Sequence, residues 1–178
     1  MGTIHSKGQD VPVWIQIIRK ISTVFGIISS AMIAASVLII CQMIWVRFVL
    51  NGSTIWQTEA VVYLMISAVL LGLPYVQLLR GHVNVDLLSV ILNPTGQKIL
   101  ACFSLSIAML LSLLIAFYGY EIFHIALERN WRSDTVWGVR LWIPYLSVPV
   151  GFVLFALQLL ADIAETIRGN IPKNPGGH

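Results

Sequence analysis

Charge is spread unevenly along the 178 residues of this chain. Four windows, 21–46, 60–79, 99–120 and 141–161, contain no Asp, Glu, Lys or Arg, and together they hold 89 residues, half of the sequence. Each exceeds the roughly 18 apolar residues that mark a membrane-spanning helix. None alternates apolar and polar positions with period two, so barrel strands are excluded, and helices are the remaining way to satisfy backbone groups in lipid. The pattern predicts an all-α integral membrane protein with four transmembrane helices in one domain covering residues 1–178.

The first window is too long for the apolar core of a signal peptide, about 7–15 residues, and no small-residue cleavage site follows it. Its 26 residues would span about 39 Å as a helix, more than the ~30 Å hydrocarbon layer, so tilt or a protruding end is expected. Residues 1–9 read as a polar lead. Residues 10–20, with Pro12 suited to a first helical turn and Trp14, Ile17 and Ile18 on one side of Arg19 and Lys20, read as a short interfacial helix or as an extension of the first span. Between spans two and three, Asp86 can cap a second short apolar helix over 87–92, which Asn93 and Pro94 end. The third span continues as helix to about Asn130, and residues 162–178 form a polar tail.

Lys and Arg set the orientation. With four spans both termini share one side, which holds Lys7, Arg19, Lys20, Arg80, Lys98, Arg168 and Lys173; the other holds Arg47, Arg129, Arg132 and Arg140. The excess places both termini in the cytoplasm. Five of the six tryptophans, Trp45, Trp56, Trp131, Trp137 and Trp142, fall on the opposite, outer side, at the level of headgroups or of a partner.

Composition sharpens this picture. Apolar residues make up 57% and charged residues 11%, against about 25% charged in soluble domains. A water-soluble fold of this size, burying about 70% of its surface, cannot hide so much apolar area. A soluble enzyme, a disordered chain and a nucleic-acid-binding domain are excluded, and the net charge of +3 follows from the cytoplasmic loops.

Candidate chemistry is sparse. Membrane transport and catalysis use ionisable groups at depth, and the windows contain none; Gln42, Gln77 and Gln158 are their strongest polar side chains. No histidine lies in a window to ligate haem, Cys41 and Cys102 sit near opposite ends of their spans, and no phosphate loop or hydrolase motif occurs. Glu121, His124 and Glu128 share a helical face but read as solvated rather than metal-binding. No catalytic, metal or substrate-binding residue is expected, and no cofactor. The recurring features suit packing. Ser22, Gly26, Ser30 and Ala34 form a small-residue stripe that admits close helix approach. Thr54 to Gln57 matches a capping box, Glu59 favours the dipole of the second span's first turn, and Pro74 predicts a bend that frees the Leu70 carbonyl.

One set of residues resembles a known family. Trp56-Gln-Thr-Glu59, Gly72, and Arg80-Gly-His82-Val-Asn-Val-Asp86-Leu-Leu88, followed by Trp142-Ile-Pro144-Tyr145 and Pro149-Val-Gly151-Phe, resemble the small membrane subunit of TRAP transporters, the tripartite ATP-independent carriers of bacteria and archaea. Gln57 departs from it, standing where members often carry a second acidic residue. The resemblance implies a chain in the cytoplasmic (inner) membrane that is not an enzyme. It implies a non-catalytic scaffold for a large elevator-type subunit that carries sodium and an organic acid, and a periplasmic binding protein that delivers the acid. Besides lipid these are the expected partners, and no nucleic acid is among them. The residues set apart for partner contact are Ser22, Gly26, Ser30, Ala34, Trp56, Glu59, Arg80, His82, Asp86, Arg132, Arg140, Trp142 and Pro144. Asp86 serves either as a helix cap or as an ion-pair partner, with Arg80 and His82 beside it. The competing readings are an autonomous small transporter and a four-helix membrane adaptor unrelated to TRAP transport.

Overall fold

A computed structural model describes residues 12–80 and 94–168. Among these residues the chain forms four helices, α1 Val13–Phe48, α2 Gln57–Arg80, α3 Pro94–Glu128 and α4 Trp142–Arg168, each long and apolar enough to cross a membrane. The expected helix over 87–92 lies outside the described residues. Residues 13–20 are not a separate interfacial element: α1 runs unbroken for 36 residues, about 54 Å, because nothing between Val13 and the first span breaks the helix. Helix α2 also differs from expectation. It begins at Gln57, with Ala60 N–H bonded to the Trp56 carbonyl. Thr54 therefore does not cap it, and the Gln57 amide instead turns toward Gln42 on α1 (3.5 Å).

The helices pack in the order α1, α2, α4, α3, with α1 also reaching α4, while α1 and α3 do not touch. Helix α4 is central: 44% of its apolar span is buried, against 11% for α3. Each interface combines a small residue with a hydroxyl or amide that hydrogen-bonds across it. Ser29 Oγ donates to the Ala68 carbonyl between α1 and α2 (2.6 Å), and Ser112 Oγ to the Phe152 carbonyl between α3 and α4 (2.9 Å). Ser22 and Gln158 join α1 to α4 (2.8 Å), and Gln77 and Asp162 join α2 to α4 (2.9 Å). Interhelical bonds of this kind contribute about 0.6 kcal/mol each in membranes, and small residues supply the close approach that strengthens dispersion contacts.

The closest approach is between α2 and α4. Pro74 is buried inside α2 and returns no N–H to the Leu70 carbonyl. That carbonyl faces Gly151 of α4, where a Cβ would lie 2.6 Å from its oxygen and 2.9 Å from its carbon. Lacking a side chain, Gly151 lets its backbone approach the freed carbonyl.

The termini of α1 and α4 with the end of α2 and start of α3 form one end of the bundle, called here the termini end. The 49–56 and 129–141 connections form the loop end. Wide apolar faces remain uncovered on both flanking helices, including Val24, Ile27, Val37 and Leu38 on α1 and Phe103, Leu110 and Phe117 on α3.

Gly151→Ala places a methyl against backbone that cannot move aside, an overpacking cost of ~1–3 kcal/mol. Gly119→Ala meets side-chain atoms, closest Val148 Cγ1 at 2.7 Å with Pro149 Cδ at 3.5 Å, which have more freedom to shift than backbone. Thermal unfolding of the protein in lipid nanodiscs is expected to show the larger loss for Gly151→Ala, and the reverse order would contradict the close contact with Leu70.

Candidate functional site

Two polar clusters close the two ends of the bundle, and the exposed helix faces lie between them. At the termini end Asp162 is buried. Its Oδ2 accepts from the Gln77 amide of α2 and its Oδ1 from the Gln158 amide of α4, both at 2.9 Å. Gln158 uses its own oxygen to accept from Ser22 Oγ of α1. One turn beyond, Glu165, also buried, pairs with Arg19 of α1 at 2.6 Å. The network therefore ties α1, α2 and α4 together through donors matched to acceptors, the condition under which carboxylates can be buried at all. Among its atoms Arg19 Nε lacks a hydrogen-bond partner.

These residues were not among the sequence candidates except Ser22. The uncharged window ends at 161, so Asp162 and Glu165 read as the start of a polar tail. Their signal lay in spacing: Gln158, Asp162 and Glu165 stand at i, i+4 and i+7 on one helical face, and Arg19 and Ser22 at i and i+3 on another.

At the loop end, α3 stops in a Schellman arrangement. Asn130 takes the left-handed conformation (φ 49°), Trp131 N–H bonds to the Ala126 carbonyl and Asn130 N–H to that of Leu127. The chain then forms a hairpin over 131–141. Its turn is closed by Gly138 N–H to the Thr135 carbonyl (3.0 Å), with Gly138 at φ 60°. Ser133 N–H bonds to the Val139 carbonyl and Leu141 N–H to that of Trp131, both at 2.9 Å, bracketing an antiparallel bridge between Arg132 and Arg140. This makes Arg132 and Arg140 a non-hydrogen-bonded pair, the closer kind, with Cα atoms about 4.5 Å apart and side chains on the same face of the ribbon. Like charges placed directly opposite destabilise a pairing. Both residues are exposed, and no carboxylate pairs with them, or with Arg129, among the described residues.

Beneath the hairpin lies Glu59, buried in the first turn of α2. Its carboxylate accepts from the Tyr63 hydroxyl (2.5 Å) and from the Thr135 hydroxyl, and Ser133 Oγ donates to Thr135 Oγ1 at 3.1 Å. Trp56 packs on Trp137 with ring centroids 6.0 Å apart. Glu59 is thus more than a first-turn acid favouring the dipole; it is an anchor for a segment 76 positions away.

The residues set apart from sequence fall into three groups. Ser22 and Gly26 are taken up inside the chain, Ser22 by Gln158 and Gly26 by Tyr75, whose ring leaves only 2.3 Å to a Cβ at that position. Pro144 is buried as well and accepts a bond from Ser147 Oγ (2.6 Å); Glu59 is covered by the hairpin, and half-buried Trp142 packs edge-on against Phe123. Ser30, Ala34, Trp56, Arg132 and Arg140 remain exposed. Arg80 closes α2, and His82 and Asp86 lie outside the described residues. The small-residue stripe is divided because residues four apart drift around a helix by about 40° per step, whereas residues seven apart drift by only about 20°. The buried set on α1 accordingly follows the seven-residue spacing of Ile15, Ser22, Ser29 and Ser36, leaving Ser30 and Ala34 outside.

Comparison with known proteins relates this chain to a transporter family. Residues 36–169 match the family model described as Tripartite ATP-independent periplasmic transporters, DctQ component. The chain is also similar to the C4-dicarboxylate TRAP transporter small permease protein DctQ of Vibrio cholerae. It is 24% identical to that protein over 153 residues, covering 74% of this chain and 66% of the relative. This chain thus spans just under two thirds of that relative's length.

Gln158→Leu removes the acceptor for Ser22 and one donor to Asp162, and a buried polar group left unanswered costs ~1–3 kcal/mol. Ser22→Ala leaves the Asp162 contacts in place and strands one buried group, the Gln158 oxygen, where Gln158→Leu strands two, so it is expected to cost less. Melting temperatures of the two variants check this; equal losses would mean that the network is not centred on Gln158.

Proposed function

The chain belongs to the DctQ component family of tripartite ATP-independent periplasmic transporters, and we propose that it is the static subunit of such a carrier. It is a transporter component and not an enzyme. In this reading it lies in the cytoplasmic membrane with both termini inside. It packs against a large membrane subunit that moves an organic acid with sodium by an elevator motion, and its outer end receives the soluble protein that delivers the acid. The similarity to a C4-dicarboxylate protein favours a small dicarboxylate as the cargo.

The observation that carries the scaffold reading is where the ionisable side chains stand. Arg19, Asp162 and Glu165 lie at the termini end and are engaged with one another's helices; Glu59 lies at the loop end beneath the hairpin. Between them the described spans hold no charged residue to hand a proton or ion from one end to the other, as an autonomous transporter requires. Rigid helix contacts and two broad apolar faces are what a fixed support needs. Ser30 and Ala34 mark the place on α1 where another helix can come close: both are exposed, and Ser30 already returns its hydroxyl to the Gly26 carbonyl (3.0 Å), so it needs no polar partner. At the loop end, the exposed Arg132 and Arg140 with Trp137 beside them suit an acidic protein surface, since Arg and Trp are common anchors of interfaces.

Two experiments test the two halves of this reading. Ala34→Leu fills the exposed stripe without touching the chain's own core, and is expected to reduce co-purification with the large subunit while leaving the folded chain intact. Wild-type recovery would remove this face of α1 from the interface. Reversing both arginines, Arg132→Glu with Arg140→Glu, is expected to weaken docking of the soluble protein on the membrane complex by more than about tenfold, the range of a central interface residue. The amount of complex in the membrane is expected to stay the same. Unchanged docking would remove the hairpin from the model.

A further inference from the structure

The start of α2 and the tip of the 131–141 hairpin meet at one carboxylate. Thr135 opens the turn of the hairpin, its carbonyl receiving the Gly138 N–H, and its hydroxyl is donated to Glu59. Trp137, two residues on, rests against Trp56, three residues before Glu59. The hairpin tip is therefore held to α2 at two points, one polar and one aromatic. Its arms carry Arg132 and Arg140, opposed across a single bridge. A two-stranded hairpin is marginal by itself, and a like-charged pair opposite one another weakens it further. The ladder alone does not account for an ordered arginine pair, whereas the mooring at Glu59 does. A bond from a hydroxyl to a carboxylate is roughly twice as strong as one between neutral groups. Glu59 is buried with its carboxylate answered by hydroxyls, so it faces the hairpin without being drawn into a salt bridge that would occupy either arginine.

We propose that Glu59 is the positioning residue of this docking surface: its carboxylate, bonded to Thr135, fixes the hairpin so that Arg132 and Arg140 converge on one acidic group of the soluble binding protein. The arginine pair meets no carboxylate among the described residues and is completed by the partner's carboxylate, which relieves the repulsion between the two guanidinium groups. This proposal rests on the docking reading above.

The test uses the complex of this chain with its large subunit in lipid nanodiscs, titrated with the purified soluble binding protein. Trypsin cleavage after Arg132 and Arg140 serves as a readout independent of docking. Glu59→Ala and Thr135→Val are expected to weaken docking about tenfold, the equivalent of one lost charge-assisted bond, and to speed cleavage in the hairpin by a similar factor. Thr135→Ser, which keeps the hydroxyl, is expected to restore both. If Glu59→Ala fails to assemble, Thr135→Val, at an exposed loop position, decides. Wild-type docking and cleavage in Thr135→Val, alongside lost docking in the Arg132→Glu, Arg140→Glu variant, would overturn the positioning role and leave the docking reading intact. Unchanged docking in the double reversal would overturn both.

Discussion

Asp162 can be buried only where three helix ends meet, and that constraint organises the bundle. A carboxylate taken out of water is tolerated when its lone pairs are answered, and the answering groups come from different helices: Gln77 from α2 and Gln158 from α4, the latter held by Ser22 of α1. Moving any one helix along its axis by a turn, about 5.4 Å, would break at least one of these bonds. Hydrophobic contact gives no such register between helices surrounded by lipid, because the lipid is as apolar as the side chains. The polar network therefore sets which residues of the three helices stand level, and the Arg19–Glu165 pair one turn further on repeats the constraint.

Once the register is set, the small residues can do their part. Gly151 stands level with the carbonyl that Pro74 releases, Gly72 level with Ser29, and Gly26 level with the ring of Tyr75. These are contacts in which a single methyl would be felt, so they hold the helices at fixed distances as well as at fixed heights. Helix α3 is joined to this unit through α4 alone, by Ser112 and by Gly119 against Val148. The result is a row of four helices rather than a closed ring, with α1 and α3 apart and each offering a different uncovered face. A row of this kind presents more surface per residue than a ring, which suits the proposed role of a fixed support.

Much of this was legible in the sequence, for a simple reason. Lipid excludes charge over about 20 residues, so the four spans announce themselves by what they lack, and the arginines and tryptophans of the connections mark the ends. The same criterion hid the termini-end network: an uncharged window stops at the first carboxylate, yet α4 continues through Asp162 and Glu165 to Arg168. The stripe on α1 was half legible. Ser22 and Gly26, set apart from sequence for partner contact, are packed within the chain, and a spacing of four rotates off the interface that the seven-residue series Ile15, Ser22, Ser29 and Ser36 follows. The role of Glu59 depended on Thr135, 76 residues away, and only the return of the hairpin over α2 brings the two together.

The two ends of the bundle treat charge in opposite ways. At the termini end both carboxylates among the described residues, Asp162 and Glu165, are engaged within the chain, and Arg19 is committed to Glu165. At the loop end the buried carboxylate, Glu59, is spent on hydroxyls, and Arg132 and Arg140 are left opposed, with no ion pair to a carboxylate among the described residues. Had Glu59 been exposed beneath the hairpin, it would have joined Asp134, an exposed acid of the hairpin itself, as a group able to compete for the arginines. Burying it beneath Thr135 and Tyr63 converts a potential ion-pair partner into an anchor. The buried carboxylates of the termini end are answered by the chain's own side chains and serve to hold its helices together. An end that holds two like charges together gains from any partner that brings the opposite one. The asymmetry follows from where the acidic residues are buried, and it separates the part of the molecule that holds its own helices together from the part available to meet something else.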